Sequence, residues 1–250
     1  MQSLPVGEPG YAHPELLAET DWLAGRLTDP KLRVIDAIGP EDYAVGHVPD
    51  AVNLSGFSGI PRTLNGDMAA PDEFGCLAGN LGVSNDTTVV VSDEPSQKMG
   101  LVAWTFLYYG QSDVRLLDGS FEKWSDEGRS VSTEATEYPR AVFVPKVREA
   151  IYCSLEQALA AVGQPKTVFW DTRSLAEFEG TAAGYGPPVR TGRIPGAVHL
   201  EWNELFHRIR KRLCLRKSSQ LSSRRMASLP IRKSPAIDTV VRGRRSRPSC

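Results

Sequence analysis

The chain has 250 residues, 41% hydrophobic and 24% charged, with a net charge of −1, which suits one large or two ordinary globular domains. No apolar run reaches the roughly 18 residues of a membrane span, and the first residues lack the basic start and apolar stretch of a secretory signal. Four cysteines without a C-x-x-C pair and four scattered histidines predict neither a disulfide scaffold nor a metal site, so we expect a cytoplasmic protein without a metal or cofactor.

The first half of the chain alternates strand and helix patterns with short connections. Thr20 is predicted to cap the first helix, whose apolar residues have helical spacing. The next elements are predicted as strand 32–36, helix 40–46, strand 51–54, helix 71–82, strand 87–91, helix 98–110, strand 113–117 and a turn and helix at 118–128. This alternation predicts an α/β fold in which a parallel sheet is covered by helices on both faces.

The pattern then starts again. GHVPDAVNL (46–54) recurs as GRIPGAVHL (192–200), an offset of 146, whereas Asp36 recurs as Asp171, an offset of 135. The second copy therefore holds 11 extra residues between these points, within 179–191. Two copies at one spacing indicate a duplicated domain. We predict one complete domain plus an incomplete second copy, with these boundaries: first domain 15–130, linker 131–150, partial second domain 151–206, and a basic tail 207–250.

VIDAIGPEDYAVGHVPDAVNL and FWDTRSLAEFEG…GRIPGAVHL resemble the rhodanese domain. Two copies in tandem resemble the thiosulfate and 3-mercaptopyruvate sulfurtransferases, over roughly residues 15–206. The resemblance implies a cysteine in a loop between a buried strand and the following helix, where amide N–H groups stabilise its thiolate. That thiolate takes sulfur from a small anionic donor as a persulfide and passes it to cyanide or a thiol acceptor.

Neither copy has a cysteine at that position. In the first copy Asp93 follows the predicted strand, and in the second copy the equivalent loop falls near 239–244, Thr-Val-Val-Arg-Gly-Arg. Cys214 lies too early and Cys250 too late, while Cys76 and Cys153 have the positions of packing residues. We therefore assign no catalytic residue.

Three other side chains stand out as candidates. His47 is expected to bond the loop backbone rather than to take part in catalysis. Arg190 matches an arginine that the resemblance places at the substrate pocket, where it would bind the donor's sulfonate or carboxylate; a solvated loop arginine is the alternative, which we favour. Arg173 is expected to pair with a neighbouring acid at the surface.

The segment 207–250 contains 14 Lys and Arg and one acid, so it carries +13 while the rest of the chain carries −14. Three interpretations remain open: a disordered tail, an arm that binds nucleic acid non-specifically, and a shift of reading frame near residue 206. We favour the frameshift because the family-like sequence stops within the second domain, and because the equivalent of residues 98–128 would extend past residue 250.

The sequence therefore predicts a sulfurtransferase by resemblance, with little or no sulfur transfer in this chain and no membrane partner. The alternative is a non-catalytic rhodanese-fold binding or regulatory module, with a nucleic-acid-binding tail as a variant. The dual-specificity phosphatases, which have a related fold, also need a cysteine in this loop. The absence of that cysteine counts equally against phosphatase activity.

Overall fold

The structure is a computed structural model that describes residues 13–63, 66–93, 96–184, 191–207 and 212–213. The helices are α1 (Thr20–Ala24), α2 (Pro40–Val45), α3 (Pro71–Asn80), α4 (Gln97–Tyr108), α5 (Ser120–Asp126), α6 (Leu155–Ala161) and α7 (Leu175–Glu179). The strands are β1 (Leu17–Ala18), β2 (Leu32–Asp36), β3 (Ala51–Asn53), β4 (Thr88–Ser92), β5 (Val114–Leu117), β6 (Trp170–Asp171), β7 (Val198–His199), β8 (Phe206–His207) and β9 (Arg212–Leu213). None of the described helices is both long and apolar enough to cross a bilayer.

The first copy forms a five-stranded parallel sheet in the order β1-β5-β4-β2-β3. Its strands are buried on both faces, so they read as near-continuous apolar runs. On one face Val34 and Val90 pack with residues of α1, α2 and α5, and on the other Ile35 and Val91 pack with residues of α3 and α4. The predicted α/β fold with helices on both faces is confirmed.

The predicted cap of α1 is wrong. Glu19 occupies the N-cap position without a side-chain hydrogen bond, and Thr20 is the first helical residue. The Thr20 hydroxyl donates instead to Glu127 Oε2 at 2.6 Å, 107 residues along the chain. The hydroxyl that the local sequence would assign to the helix end is therefore bonded to an acceptor that is remote in the sequence.

The predicted linker has no helix or strand over most of its length, but it packs against the first domain. Phe143 is buried edge-on to Phe74, with ring centroids 5.7 Å apart. The Ala141 amide donates to Gly79 O at 2.9 Å, and a Cβ at Gly79 would lie 2.5 Å from Ala141 O. Glycine therefore permits this close approach of linker and α3.

The second copy has little interior among the described residues. Strands β6 and β7 form a two-stranded parallel sheet. Phe169 is the one buried apolar side chain in the described residues from 151 to 204. Its larger exposed apolar side chains are Leu155, Leu159, Val168, Trp170 and Leu175. Of the predicted tail, the described residues pair β8 with β9, and the remainder lies outside the described residues.

Candidate active site

The carboxyl edge of the first domain's sheet is the place where α/β folds bind ligands. Asp36, at the end of β2, is in register with Asn53 on β3 and with Ser92 on β4. The chain passes from β4 through Asp93 towards α4, which is the strand–loop–helix connection that the resemblance identifies as the sulfur-binding loop. Residues 94 and 95 of this loop lie outside the described residues.

Asp93 occupies the position next to β4 and is buried, with 1% of its surface exposed. Its Oδ2 accepts a 2.5 Å hydrogen bond from the Ser96 hydroxyl, which in turn accepts from the Lys98 amide at 3.2 Å. Ser96 is the N-cap of the 12-residue helix α4, so the carboxylate lies at the positive end of the helix dipole. The Asp93 carboxyl group is therefore hydrogen-bonded to the residue that caps the amino end of α4.

A second buried carboxyl group lies beside Asp93. Asp36 is 1% exposed, and its Oδ1 accepts from the Ile38 amide at 3.1 Å. Burial raises the pKa of Asp36 from 3.8 to about 7; the charge of Asp93 adds to this, while the Ile38 amide and Lys98 oppose it. At neutral pH the Asp36 carboxyl group is therefore partly protonated, beside the charged Asp93.

In the second copy the equivalent carboxyl group has a cationic partner. Arg173 donates from Nε to Asp171 Oδ1 at 2.9 Å and from a terminal nitrogen to Oδ2 at 2.5 Å, and it also donates to Gly192 O at 2.9 Å. Although burial raises the pKa of Asp171, the hydrogen bonds from Arg173 outweigh it and hold that pKa below its usual range. The expected pairing of Arg173 with a neighbouring acid is confirmed, although the Asp171 side chain is only 10% exposed and the pair is not fully at the surface.

The two copies build this edge with the same hydrogen bonds. Asp36 Oδ1 accepts from the amide of Ile38, and Asp171 Oδ1 accepts from the amide of Arg173 at 3.1 Å, two residues on in each case. The carbonyl of that second residue is bonded by a side chain of the neighbouring strand, Asn53 at 2.9 Å in one copy and His199 at 2.8 Å in the other. The repeat therefore extends to the hydrogen-bonding pattern of the strand end.

Sequence reasoning missed this paired turn, although the signal was available. Asn53 and His199 differ by the same offset of 146 as the GHVPDAVNL repeat, and Asp36 and Asp171 by the offset of 135. Placing the two offsets on neighbouring parallel strands would have brought each pair together. Asn and His look unrelated as residue types, but each offers a nitrogen that can bond the same carbonyl.

The two cysteines among the described residues belong to other elements, and Cys153 is the one with a free thiol. Cys76 is on α3, where its Sγ lies 3.4 Å from an Arg140 nitrogen. Cys153 precedes α6, it is partly buried, and burial raises the pKa of its thiol. Cys214, Cys250 and Arg190 fall outside the described residues, as does the predicted second loop at 239–244.

His47 bonds backbone, as expected: its ring nitrogens lie 2.8 Å from Tyr43 O and 3.1 Å from Glu134 O. Among the described residues, no cluster of three or more His, Cys, Asp or Glu is arranged to hold a metal ion.

Comparison with known proteins supports the family resemblance. The sequence model of the rhodanese-like domain family matches residues 19–127. The sulfur carrier protein TtuD of Thermus thermophilus is 36% identical over 206 residues, which is 77% of this chain and 72% of that protein. A thiosulfate sulfurtransferase of Corynebacterium glutamicum is 33% identical over 206 residues, 78% of this chain and 68% of that protein.

Among solved structures, the 3-mercaptopyruvate sulfurtransferase SseA of Escherichia coli superposes with a TM-score of 0.72. It is 23% identical, and the match covers 89% of this chain and 86% of that one. At this identity the likeness shows the fold. Taken with the extent and identity of the sequence matches, it means that the chain belongs to the rhodanese family of sulfurtransferases.

Proposed function

We propose that this chain is a tandem rhodanese-type protein whose first domain is a structural partner that forms no persulfide. The observation that carries the proposal is the buried carboxylate of Asp93 at the amino end of α4. A thiolate would attack the outer sulfur of thiosulfate, break the S–S bond and release sulfite with its electron pair. A carboxylate oxygen cannot hold sulfane sulfur in this way, and its charge repels an anionic donor.

For the whole chain we propose little or no sulfur transfer. In an active relative the donor would be thiosulfate or 3-mercaptopyruvate and the acceptor cyanide or a thiol. Arg190 remains a proposed contact for the donor's sulfonate or carboxylate, and a cytoplasmic location remains part of the proposal. Non-specific nucleic-acid binding by the basic segment 207–250 rests on its composition of 14 Lys and Arg with one acid.

The test is formation of thiocyanate from cyanide with each donor, with the Corynebacterium glutamicum relative as the positive control. We expect no turnover above the uncatalysed rate, and no persulfide on the intact chain by mass spectrometry after incubation with thiosulfate. Turnover that disappears when one of the four cysteines is replaced by serine would overturn the proposal and identify the nucleophile.

A non-catalytic binding module is the second candidate, and the completeness of the first domain favours it. That domain has five paired strands and apolar clusters on both faces without any contribution from a persulfide loop. A protein partner retained by the purified chain, and released by surface substitutions in the first domain, would support this function.

A further inference from the structure

We propose that the outer edge of β3 binds an extended peptide segment that carries a lysine or arginine side chain. A cavity of about 350 Å³ lies at this edge, and its size falls within the roughly 300–1,000 Å³ of ligand pockets. Peptide binding here rests on the second candidate function, a binding module, and is independent of sulfur transfer. A thiocyanate assay and a peptide-binding assay can therefore fail separately.

The cavity lies beside the edge strand rather than on a face of the sheet. β3 is the last strand in the order β1-β5-β4-β2-β3, so one of its edges has no neighbouring strand among the described residues. Val52 and Asn53 of this strand line the cavity. Tyr43 of α2 lines it from one face of the sheet, and Leu81 at the end of α3 lines it from the other. Contact with helices of both faces places the cavity at the outer edge of β3.

The backbone of Asn53 offers one donor and one acceptor on this outer side. The Leu54 amide donates to Asp36 O at 2.8 Å, so residue 54 bonds to β2. Because the backbone groups of successive residues in a strand point to opposite sides, the N–H and C=O of Asn53 point away from β2. No hydrogen bond from the described residues reaches either group. A peptide group can satisfy both, which is how an extended segment adds to an exposed sheet edge.

The addition is limited to one residue of β3. Ala51 also points outward, but its amide donates to Val48 O at 3.1 Å and its carbonyl accepts from the Tyr43 hydroxyl at 2.6 Å. The bound segment therefore pairs with Asn53 alone, through two main-chain hydrogen bonds. Such a short pairing gives weak binding, and its specificity depends on the side chain that enters the cavity.

The linker forms the opposite wall of the cavity. It is attached at Ser132, which exchanges backbone hydrogen bonds of 2.9 and 3.0 Å with His47, and at Tyr138, whose hydroxyl donates to Asp50 O at 3.0 Å. Residues 135–137 lie between these attachments and line the cavity. Their backbone forms no hydrogen bond with the described residues. The linker is thus held at both ends of this stretch while its polar groups beside the cavity stay available.

The charges at the cavity favour a basic side chain. Glu137 is exposed, and it is the one charged residue among the described residues that line the cavity. Asn80, the last residue of α3, also lines it, and the carboxyl end of a helix carries partial negative charge. The Arg33 guanidinium lies 3.7 Å from the centre of the Tyr138 ring, but it donates to two backbone carbonyl groups of its own segment. A lysine or arginine of the peptide would therefore meet an acid whose charge Arg33 does not pair.

The test is titration of the full, isotope-labelled chain with a blocked peptide, acetyl-Thr-Val-Lys-Val-Thr-amide, followed by amide chemical shifts. Two main-chain hydrogen bonds and one exposed charge contact predict a dissociation constant on the order of 1 mM. We expect saturable shifts at Asn53 and residues 135–137. Replacing the peptide's lysine by glutamate should weaken binding about tenfold. Of two peptides methylated on alternate backbone amides, one should bind about fivefold more weakly, because one set of amides faces Asn53.

Two pairs of variants at exposed linker residues separate charge from shape. Glu137→Gln should weaken the lysine peptide about threefold, and Glu134→Gln, outside the cavity, is its matched control. Ala135→Phe should block binding by filling the cavity, whereas Val142→Phe, at a residue that is 77% exposed and does not line it, should not. The spectra of the variants themselves check that each is folded.

Three results would overturn the proposal. The first is the absence of saturable shifts at about 10 mM lysine peptide, well above the expected dissociation constant. The second is a set of saturable shifts confined to another surface of the chain. The third is equal binding of the lysine and glutamate peptides, or equal effects of Ala135→Phe and Val142→Phe.

Discussion

Replacement of Asp36 by asparagine should change how the stability of the first domain depends on pH. Burial and the charge of Asp93 raise the pKa of the Asp36 carboxyl from 3.8 to about 7. Between those values the folded chain keeps a proton that the unfolded chain has lost. The free energy of unfolding therefore falls as pH rises through this window, and levels off above pH 7.

The magnitude follows from the separation of the two pKa values. Three units at 1.36 kcal/mol each amount to about 4 kcal/mol between pH 4 and pH 7. Asparagine does not titrate, and its Oδ1 can still accept from the Ile38 amide that bonds Asp36 at 3.1 Å. The variant should thus lack this decline and exceed the wild type in stability above pH 7.

The assay is urea unfolding of the full chain, followed by tryptophan fluorescence at intervals from pH 4.5 to 8. Asp93→Asn is the matched variant, since removing the charge that helps to raise the pKa of Asp36 should make the decline smaller and let it level off at lower pH. Asp171→Asn removes a carboxyl group whose pKa is lowered, so it should not produce the same gain. Parallel pH profiles for the wild type and Asp36→Asn would refute the reasoning.

Phe74→Ala should lower the free energy of unfolding by about 3–5 kcal/mol, because the ring is fully buried between Phe106, Tyr109 and Phe143; Phe57→Ala, at a half-exposed site, is the control in the same urea titration. Thr20→Val should cost about 1 kcal/mol by removing the donor to Glu127, and an unchanged unfolding midpoint would contradict this. Amides in residues 155–184 and 191–204 should exchange faster than those of β4, because the described part of the second copy buries one apolar side chain; slow exchange there would indicate a core that this arrangement does not contain.

The strands of the first domain could be predicted because a strand that is buried on both faces consists of a short run of apolar residues. The predicted strand 32–36 has the bounds of β2, since Val34 and Ile35 face opposite apolar layers. Thr20 shows where local reasoning stops, because its acceptor is 107 residues away. A helix cap predicted from neighbouring residues cannot anticipate a competitor from the other end of the domain.

The position of the candidate site could be predicted from the sequence, but the ionisation of its carboxyl groups could not. The order of the elements placed Asp93 directly after the buried strand, where the structure has it. The ionisation of Asp36 depends on its burial and on Asp93 across the sheet, neither of which a sequence states. The packing of the linker through Phe143 was likewise hidden, because the segment has no periodicity and its aromatic ring is an isolated signal.

The turn shared by Asp36 and Asp171 has a wider consequence. Its partners on the adjoining strand, Asn53 and His199, are reached after intervening stretches that differ by 11 residues, yet the joint is the same. The intervening segment starts at the aspartate turn and ends at the residue that bonds it. The segment between the two bonded residues can therefore change in length and sequence while the hydrogen bonds at its ends are kept. In this way one fold can present different surfaces to solvent.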